Sequence, residues 1–137
     1  MNNKVSIELV NHRLEQAENE LEEAILLYKN NKFKGANSRA YYSIFHSVRA
    51  VLALEPIDFK KHKDIIGYFN KNYIHTEIFP KKLGHKISEA SKLRDDSDYD
   101  DYYDGNDKDA YNQISTAKEV YNECKKYVKN KIKSDIK

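Results

Sequence analysis

Apolar residues recur at alternating spacings of three and four near both ends of the chain, and this rhythm constrains the fold more than any other feature. Near the amino end it includes Ile7, Val10, Leu14, Ala17, Leu21, Ala24 and Tyr28. Near the carboxyl end it includes Ala110, Ile114, Ala117, Tyr121, Cys124 and Val128. Such a period is typical of a helix that buries one face. It predicts a first helix over about residues 6–29, with Ser6 as N-cap, and a last helix over about residues 108–132, with Asp107 as cap.

Three further helices are predicted between these two. The second covers about residues 33–54 and ends at Glu55-Pro56, because the residue before a proline is disfavoured in helical conformation. The third starts after Asp58 with one face made of Phe59, His62, Ile66, Phe69 and Tyr73. The fourth begins at Pro80, a favourable first helical position, and continues to about Leu93. The charged connection DDSDYDDYYDGND predicts an exposed loop.

Length and composition favour one small helical domain. The chain has 137 residues with 4 Gly and 2 Pro, too few for the many turns of a β-sandwich. We therefore expect an all-α, compact antiparallel bundle of four to five helices that includes residues 1–137. Cys124 is the single cysteine and lies on an apolar stripe, so we expect it in the core. With no leader-like or membrane-spanning run, we expect a cytoplasmic protein.

Charge is unevenly distributed along the chain. Residues 95–109 contain eight Asp and one Lys, whereas residues 118–137 contain seven Lys and three acidic residues. The lysine-rich end either contacts phosphates or forms the solvated face of the last helix. The aspartates do not match a calcium-binding loop, since Tyr111 would stand where the closing Glu is needed. We expect no metal and no cofactor.

One face of the second helix carries the residues with the most chemistry. In NSRAYYSIFHSVRAVLAL, four side chains at i, i+3, i+7 and i+10 share a face: Arg39, Tyr42, His46 and Arg49. A histidine can accept the proton of a ribose 2′-hydroxyl, and an arginine can stabilise charge on the phosphate. Tyrosines on the same surface can stack on unpaired bases. The pattern fits metal-independent RNA cleavage, but it fits a structural network with acids on other helices equally well.

The spacing of Arg39 and His46 bears on how such a site would be assembled. The two residues are about 10.5 Å apart along the helix axis, at 1.5 Å per residue. One helix is therefore not expected to hold a single phosphodiester between them. A composite site at a two-fold interface, with both helices contributing, would bring such groups together.

Three ordered segments resemble the small prokaryotic HEPN-domain proteins, namely SRAYYSIFHSVRAVL, KKHKDIIGYFNKNYI and LRDDSDYDD. The family pattern has a Ser-Arg-x-Tyr-Tyr helix ending in Phe-His, a helix with Lys-x-His, and a later Arg-x-x-x-Asp-Tyr. The resemblance covers Phe33 to Tyr102. It implies an antiparallel helical bundle that forms a homodimer.

The resemblance also implies an activity. Many family members are RNase toxins with an Arg-x(4–6)-His motif, and Arg39 and His46, with six residues between them, fit it as the catalytic pair. Tyr42, Arg49 and His62 are then supporting or substrate-binding residues. Such proteins are often encoded beside a minimal nucleotidyltransferase that acts as antitoxin. Some antitoxins modify a tyrosine near the motif, for which Tyr41 and Tyr42 are the nearest candidates.

Three hypotheses remain open at the level of sequence. The first is a homodimeric RNase toxin acting through Arg39 and His46. The second is a non-catalytic HEPN module that binds a nucleotidyltransferase and helps hold a nucleotide or substrate. The third is a structural bundle with the polar face as an internal network. His62 either lines a ligand groove or pairs with Asp58 or a backbone group, while Arg94 and Asp98 are expected to form a buried pair.

Overall fold

The structure is a computed structural model that describes residues 3–56 and 62–136, with side chains for residues 7–56 and 64–134. Every regular element in these ranges is helical. The elements are α1 (Asn3–Lys29), α2 (Phe33–Leu52), α3 (His62–Phe69), a π-helical segment (Asn70–Ile74), α4 (Lys81–Tyr99) and α5 (Asp107–Ile136). The prediction of an all-α bundle of four to five helices is confirmed.

α2 is the central helix of the bundle, and 12 of its 20 residues are buried. It packs against α1, α3, α4 and α5. The Ser43 hydroxyl donates to the carbonyl of Ala17 at 2.8 Å, which shows how closely α1 approaches. Arg39 of α2 contacts Glu20 of α1, and Arg49, later in α2, contacts Arg13, which comes earlier in α1. The two helices are therefore antiparallel, with the short connection at Asn30–Lys32 between them.

The predicted apolar stripes of the first and last helices form much of the core. All members of the α5 stripe are buried, including Cys124, and five of the seven α1 members are buried. Burial raises the pKa of the Cys124 thiol, as expected for a core cysteine. α4 and α5 are also antiparallel, since Lys86 pairs with Glu119 and the Gln113 amide donates to the carbonyl of Ala90. None of the helices in the described ranges has the length and apolarity needed to span a membrane.

Both predicted N-caps are wrong. α1 begins at Asn3, so Ser6 lies inside the helix. α5 begins at Asp107 because Asn106 is the cap: its Oδ1 accepts from the Asp109 N–H at 2.8 Å, and its Nδ2 donates to the Asp109 carboxylate at 3.0 Å. This reciprocal arrangement satisfies an otherwise unpaired N–H of the first turn. The Asp107 carboxylate instead accepts from the Tyr28 hydroxyl on α1.

The fourth helix is longer than predicted. α4 continues to Tyr99, so the first part of the aspartate-rich segment is helical rather than an exposed loop. Two contacts explain the extension. Ser97 is fully buried, with its hydroxyl 3.5 Å from the carbonyl of Lys34, and Arg94 pairs with Asp98 one turn later at 3.6 Å. The predicted Arg94–Asp98 pair is thus present within the helix, but the prediction that it is buried is wrong, since Asp98 is exposed.

The third predicted helix begins outside the described residues, since Asp58 and Phe59 are not among them. From α3 onward, Phe69 and Tyr73 are buried as predicted, whereas Ile65 rather than Ile66 is the buried isoleucine. The π-helical segment that follows α3 has a wider turn than an α-helix, which a 3.6-residue pattern does not anticipate.

Candidate functional site

One face of α2 stays partly exposed between its neighbouring helices. α1 and α4 both pack against α2, but within the described residues their backbones do not approach each other closely. Between Ala36 and Leu52, the residues of α2 that are not buried are Ser38, Arg39, Tyr42, His46 and Arg49. We call the surface formed by Arg39, Tyr42, His46 and Arg49, with Arg13 and Glu20 of α1 and Ser91 and Arg94 of α4, the α2 groove.

Arg39 meets a carboxylate from the α1 side of the groove. Its guanidinium lies 3.2 Å from Oε1 and 3.1 Å from Oε2 of Glu20. The Arg39 side chain is 38% exposed and that of Glu20 is 19% exposed, so the pair is open on the arginine side. Burial raises the pKa of the Glu20 carboxyl, and the Arg39 charge only partly opposes this. Arg39 can therefore still meet an anion from solvent.

Tyr42 contacts arginines from two helices. The Arg39 guanidinium carbon lies 5.2 Å from the centre of the Tyr42 ring, and that of Arg94, from α4, lies 5.9 Å away. Both distances are within the range of cation–π contacts. Arg94 also covers the Tyr41 ring at 4.9 Å. The groove therefore presents aromatic rings and guanidinium groups together, and these are the two side-chain types on which unpaired bases stack.

Carboxylates on the same helix hold Arg94 in place. It lies 3.4 Å from Asp95 and 3.6 Å from Asp98, and its side chain is 15% exposed. Burial lowers its pKa, but the neighbouring Tyr41, Tyr42 and aspartates outweigh this and the pKa is raised. The guanidinium is therefore a fixed positive charge at the α4 side of the groove.

His46 and Arg49 continue the floor toward the end of α2. His46 is half-buried, its Nδ1 atom is buried, and its ring lies 5.8 Å from that of Phe45. Arg49 lies 5.6 Å from the Phe45 ring centre, and its carbonyl accepts a hydrogen bond from Arg13 at 3.0 Å. The imidazole is thus fixed by packing, and a half-buried histidine can still exchange protons with a bound ligand.

The structure brings together four of the residues that the sequence predicted on one face, Arg39, Tyr42, His46 and Arg49. It places the others differently. Tyr41 is 1% exposed, and burial raises its pKa, so a modifying enzyme cannot reach its hydroxyl in this fold. Tyr42, which is half-buried, is left as the accessible candidate. His62 is the first residue of α3, but its side chain lies outside the described residues.

The contributions of α1 and α4 to the α2 groove were not predicted from the sequence. Glu20 is one of several acidic residues on the outer side of α1, and nothing in its spacing distinguishes it from the exposed ones. Arg94 was expected to pair with Asp98, but its position over Tyr41 and Tyr42 depends on how α4 packs on α2. No group of three or more His, Cys, Asp or Glu residues within the described part of the chain is arranged to hold a metal ion.

The arrangement defines a small helical bundle with a polar groove along its central helix, and known proteins share this fold. The crystal structure of ST0689, an archaeal HEPN homologue, superposes with a TM-score of 0.71 over 87% of this chain and 97% of that chain, at 19% identity. The HEPN domain family model matches residues 10–127. The chain therefore belongs to the HEPN-domain family.

Curated relatives support the same assignment. "Putative toxin MJ0142" of Methanocaldococcus jannaschii is 33% identical over 86% of this chain and 80% of its own length. "Putative toxin MJ0605" of the same organism is 33% identical over 71% of this chain and 72% of its own length. A UPF0332 protein of Pyrococcus horikoshii is 36% identical over 60% of this chain and 61% of its own length.

Proposed function

We propose that this chain is an HEPN-type toxin of a toxin–antitoxin or defence system, acting as a metal-independent RNA endonuclease in the cytoplasm. The observation that carries the proposal is the α2 groove, in which Arg39, Tyr42 and His46 lie on one helix face and are all half-buried. Two relatives that align with most of the chain carry the name "Putative toxin", which is consistent with this function.

The proposed chemistry needs two groups. His46 takes the proton from a ribose 2′-hydroxyl, the 2′-oxygen attacks the adjacent phosphorus, and the bond to the 5′-oxygen breaks to leave a 2′,3′-cyclic phosphate. The leaving 5′-oxygen takes up a proton. Arg39 stabilises the negative charge that grows on the phosphate in the transition state. Tyr42 and Arg49 hold the flanking nucleotides, one by stacking and the other by charge.

Two copies of the chain would complete the site. Arg39 and His46 are separated by about 10.5 Å along α2, as their spacing requires. A phosphodiester is too small to bridge that distance within one groove. If two grooves face each other across a two-fold axis, His46 of one copy can lie near Arg39 of the other. We therefore propose a homodimer with the α2 groove at its interface.

The proposed partner is a minimal nucleotidyltransferase antitoxin. Such an enzyme can silence the toxin by covering the groove or by modifying a tyrosine in it. Of the two tyrosines near the motif, Tyr42 is the accessible one. A nucleotide added to the Tyr42 hydroxyl would occupy the groove beside Arg39 and would add a negatively charged phosphate where the RNA phosphate binds.

A non-catalytic module is the second candidate, and one observation favours it. The Arg39 guanidinium already contacts Glu20, so a phosphate must compete with a carboxylate for it. In this alternative the groove docks the nucleotidyltransferase and helps to hold its nucleotide or substrate. Changing His46 alone would then leave the function intact.

Tightly induced expression separates these candidates. Wild type, His46→Ala and Arg39→Ala would be expressed without any antitoxin, with cell growth and the integrity of total RNA followed in parallel. The catalytic proposal predicts growth arrest and RNA cleavage with wild type and neither with the variants. A cooperative thermal unfolding transition of each purified variant serves as the control that it is folded.

The results have opposite meanings for the two candidates. Intact RNA and normal growth on wild-type expression would contradict the nuclease, as would arrest that persists in the folded His46→Ala variant. Co-purification of the nucleotidyltransferase with both wild type and His46→Ala, without RNA cleavage, would support the binding module.

A further inference from the structure

A second concave site lies where the π-helical segment meets the start of α4. Its volume is about 490 Å³, and six residues line it: Asn70, Ile74, His75, Lys81, Gly84 and His85. None of them belongs to the α2 groove. The proposed RNA cleavage makes no use of them, and the sequence patterns gave them no role.

Close packing between two helices forms the floor of this cavity. A Cβ atom on Gly84 would lie 2.7 Å from Cγ2 of Ile74, closer than the two atoms can approach. The glycine therefore allows α4 to pass directly over the buried Ile74. π-helical turns are rare in proteins overall, and those that occur are often found at functional sites. The wider turn displaces side chains from the positions they would have in an α-helix. The cavity is thus lined by the π-helical segment, by His75 in the turn that follows it, and by the first turns of α4.

The rim of the cavity carries one lysine and two histidines. Lys81, His75 and His85 supply nitrogen donors, and the first turn of α4 contains no acidic residue to oppose them. Two carboxylates lie nearby but do not line the cavity: Glu77, 3.8 Å from Lys81, and Glu89, 2.9 Å from His85. Both pairs are largely exposed, and exposed ion pairs are weak. An anion in the cavity can therefore compete for these nitrogens.

One polar atom in the wall of the cavity lacks a partner. Oδ1 of Asn70 is buried, and no described residue donates a hydrogen bond to it. Buried polar atoms are nearly always hydrogen-bonded in folded proteins. Asn70 lines the cavity, so a small rotation of its side chain would let a ligand hydroxyl donate to this atom.

We propose that this cavity binds a small phosphorylated ligand that also carries a hydroxyl group. Lys81, His75 and His85 contact the phosphate, the hydroxyl donates to Asn70, and the apolar part lies on Ile74 and Gly84. A free sugar phosphate has this chemistry, and so does the phosphorylated end of an RNA chain. The proposal does not depend on Arg39 or His46, so its result leaves the proposed nuclease untouched.

Histidine imidazole NMR signals test the site directly. Ribose 5-phosphate is added to the full-length protein, and signals are assigned with His75→Gln and His85→Gln. The signals of His75 and His85 are expected to shift with saturation, while that of His12, exposed on α1, stays in place. Ribose, which has the same hydroxyls without the phosphate, is expected to shift none of them.

Two neighbouring lysines provide a matched pair of variants. Lys81 lines the cavity and Lys82 does not, although both are exposed residues in the first turn of α4. Lys81→Gln is expected to weaken ribose 5-phosphate binding roughly tenfold, the usual effect of losing one charge-assisted hydrogen bond. Lys82→Gln is expected to leave the affinity nearly unchanged. Both substitutions lie on the surface, so circular dichroism should show an unchanged fold.

A pair of RNA oligonucleotides, one with a 5′-phosphate and one with a 5′-hydroxyl, identifies the source of the ligand when the pair is added to His46→Ala, so that the proposed nuclease does not cut the probe. Shifts with the phosphorylated oligonucleotide but not with ribose 5-phosphate would assign the site to RNA ends, and the reverse would assign it to a free sugar phosphate. The proposal is overturned if neither phosphorylated probe shifts His75 and His85. It is also overturned if Lys81→Gln and Lys82→Gln bind equally well the phosphorylated probe that shifts the two histidines.

Discussion

Two pairs of tyrosines, one at the middle of α2 and one beyond its carboxyl end, contact opposite charges. At the α2 groove and directly beneath it, the rings of Tyr42 and Tyr41 lie against the guanidinium groups of Arg39 and Arg94. Beyond the carboxyl end of the helix, Tyr68 and Tyr73 both donate their hydroxyls to Glu55, at 2.7 and 2.5 Å. In the first pair the faces of the rings contact cations, and in the second pair the hydroxyl groups donate hydrogen bonds to a carboxylate.

The two regions differ in accessibility: the α2 groove is open to a ligand, whereas the hydrogen bonds to Glu55 hold secondary-structure elements together. Burial and the Glu55 hydrogen bond raise the pKa of Tyr73, so its phenol remains a neutral donor. With two tyrosines bound, Glu55 ties the end of α2 to α3 and the π-helical segment. In the groove, by contrast, the Arg39 guanidinium and the half-buried Tyr42 ring remain at the surface, where an anionic and aromatic ligand can contact them. The account therefore predicts that changes at Glu55 affect stability and changes in the groove affect binding.

Glu55→Ala should have the largest effect of all. It removes one acceptor from two tyrosines, one of them 6% exposed, and hydrogen bonds to charged groups are worth about 1.5–3 kcal/mol each. We expect the free energy of unfolding to fall by about 3 kcal/mol, as measured by urea denaturation. RNA affinity of the protein that remains folded should be unchanged. A variant as stable as wild type would show that the tyrosines do not need Glu55.

Tyr42→Leu should come next, with an effect on binding. Aromatic stacking on a base contributes about 1–3 kcal/mol, so RNA affinity should fall roughly tenfold. The measurement is fluorescence anisotropy with a single-stranded RNA in the His46→Ala background, chosen so that the proposed cleavage does not consume the probe. Tyr68→Leu is the matched control outside the groove, and it should lower stability without lowering affinity. Equal losses of affinity in both variants would contradict the assignment of the groove.

The helices of this protein can be predicted from its sequence, but the residues of other helices that contact the α2 groove cannot. The stripes through Val10 and Val128 predict α1 and α5 because a period of 3.6 is a local property of the chain. The end of α4 was missed because burial of Ser97 against α2 sustains the helix through an acidic segment, and that is a tertiary contact. Glu20 was missed for the same reason, since only the packing of α1 on α2 places it beside Arg39.

Glu20→Gln should have a smaller effect, and in the opposite direction. Because burial raises the pKa of Glu20 despite Arg39, the charged carboxylate is less favourable in the folded chain than in the unfolded one. The neutral glutamine should therefore not lower the melting temperature at neutral pH. It should also release Arg39 for phosphate and raise RNA affinity about threefold by anisotropy. Weaker RNA binding would favour a purely structural Arg39–Glu20 pair.

The pH dependence of stability provides a control for this variant. A carboxyl whose pKa is raised on folding binds its proton more tightly in the native state, so it adds stability at low pH. Wild type should gain stability relative to Glu20→Gln as the pH falls through the raised pKa of Glu20 toward its ordinary value of 4.5. Parallel pH profiles of melting temperature for the two proteins would contradict the burial of this carboxylate.

Tyr42→Phe should have the smallest effect. The contacts of Tyr42 with Arg39 and Arg94 are made by the ring, which phenylalanine keeps. We expect RNA affinity within about twofold of wild type by the same anisotropy assay. The variant should also resist silencing by a tyrosine-modifying antitoxin, since the accepting hydroxyl is gone. Silencing that persists would place the modification elsewhere.

The central claim is that the α2 groove cleaves RNA without a metal ion, and a cleavage assay with purified protein in excess EDTA tests it most directly. A labelled transcript and a DNA of the same sequence would be incubated with wild type, Arg39→Ala and His46→Ala. The account predicts that wild type cuts only the RNA, leaving 2′,3′-cyclic phosphate ends, and that each folded variant is slower by at least about 100-fold. No cleavage by wild type, or cleavage at the same rate by folded His46→Ala, would contradict it.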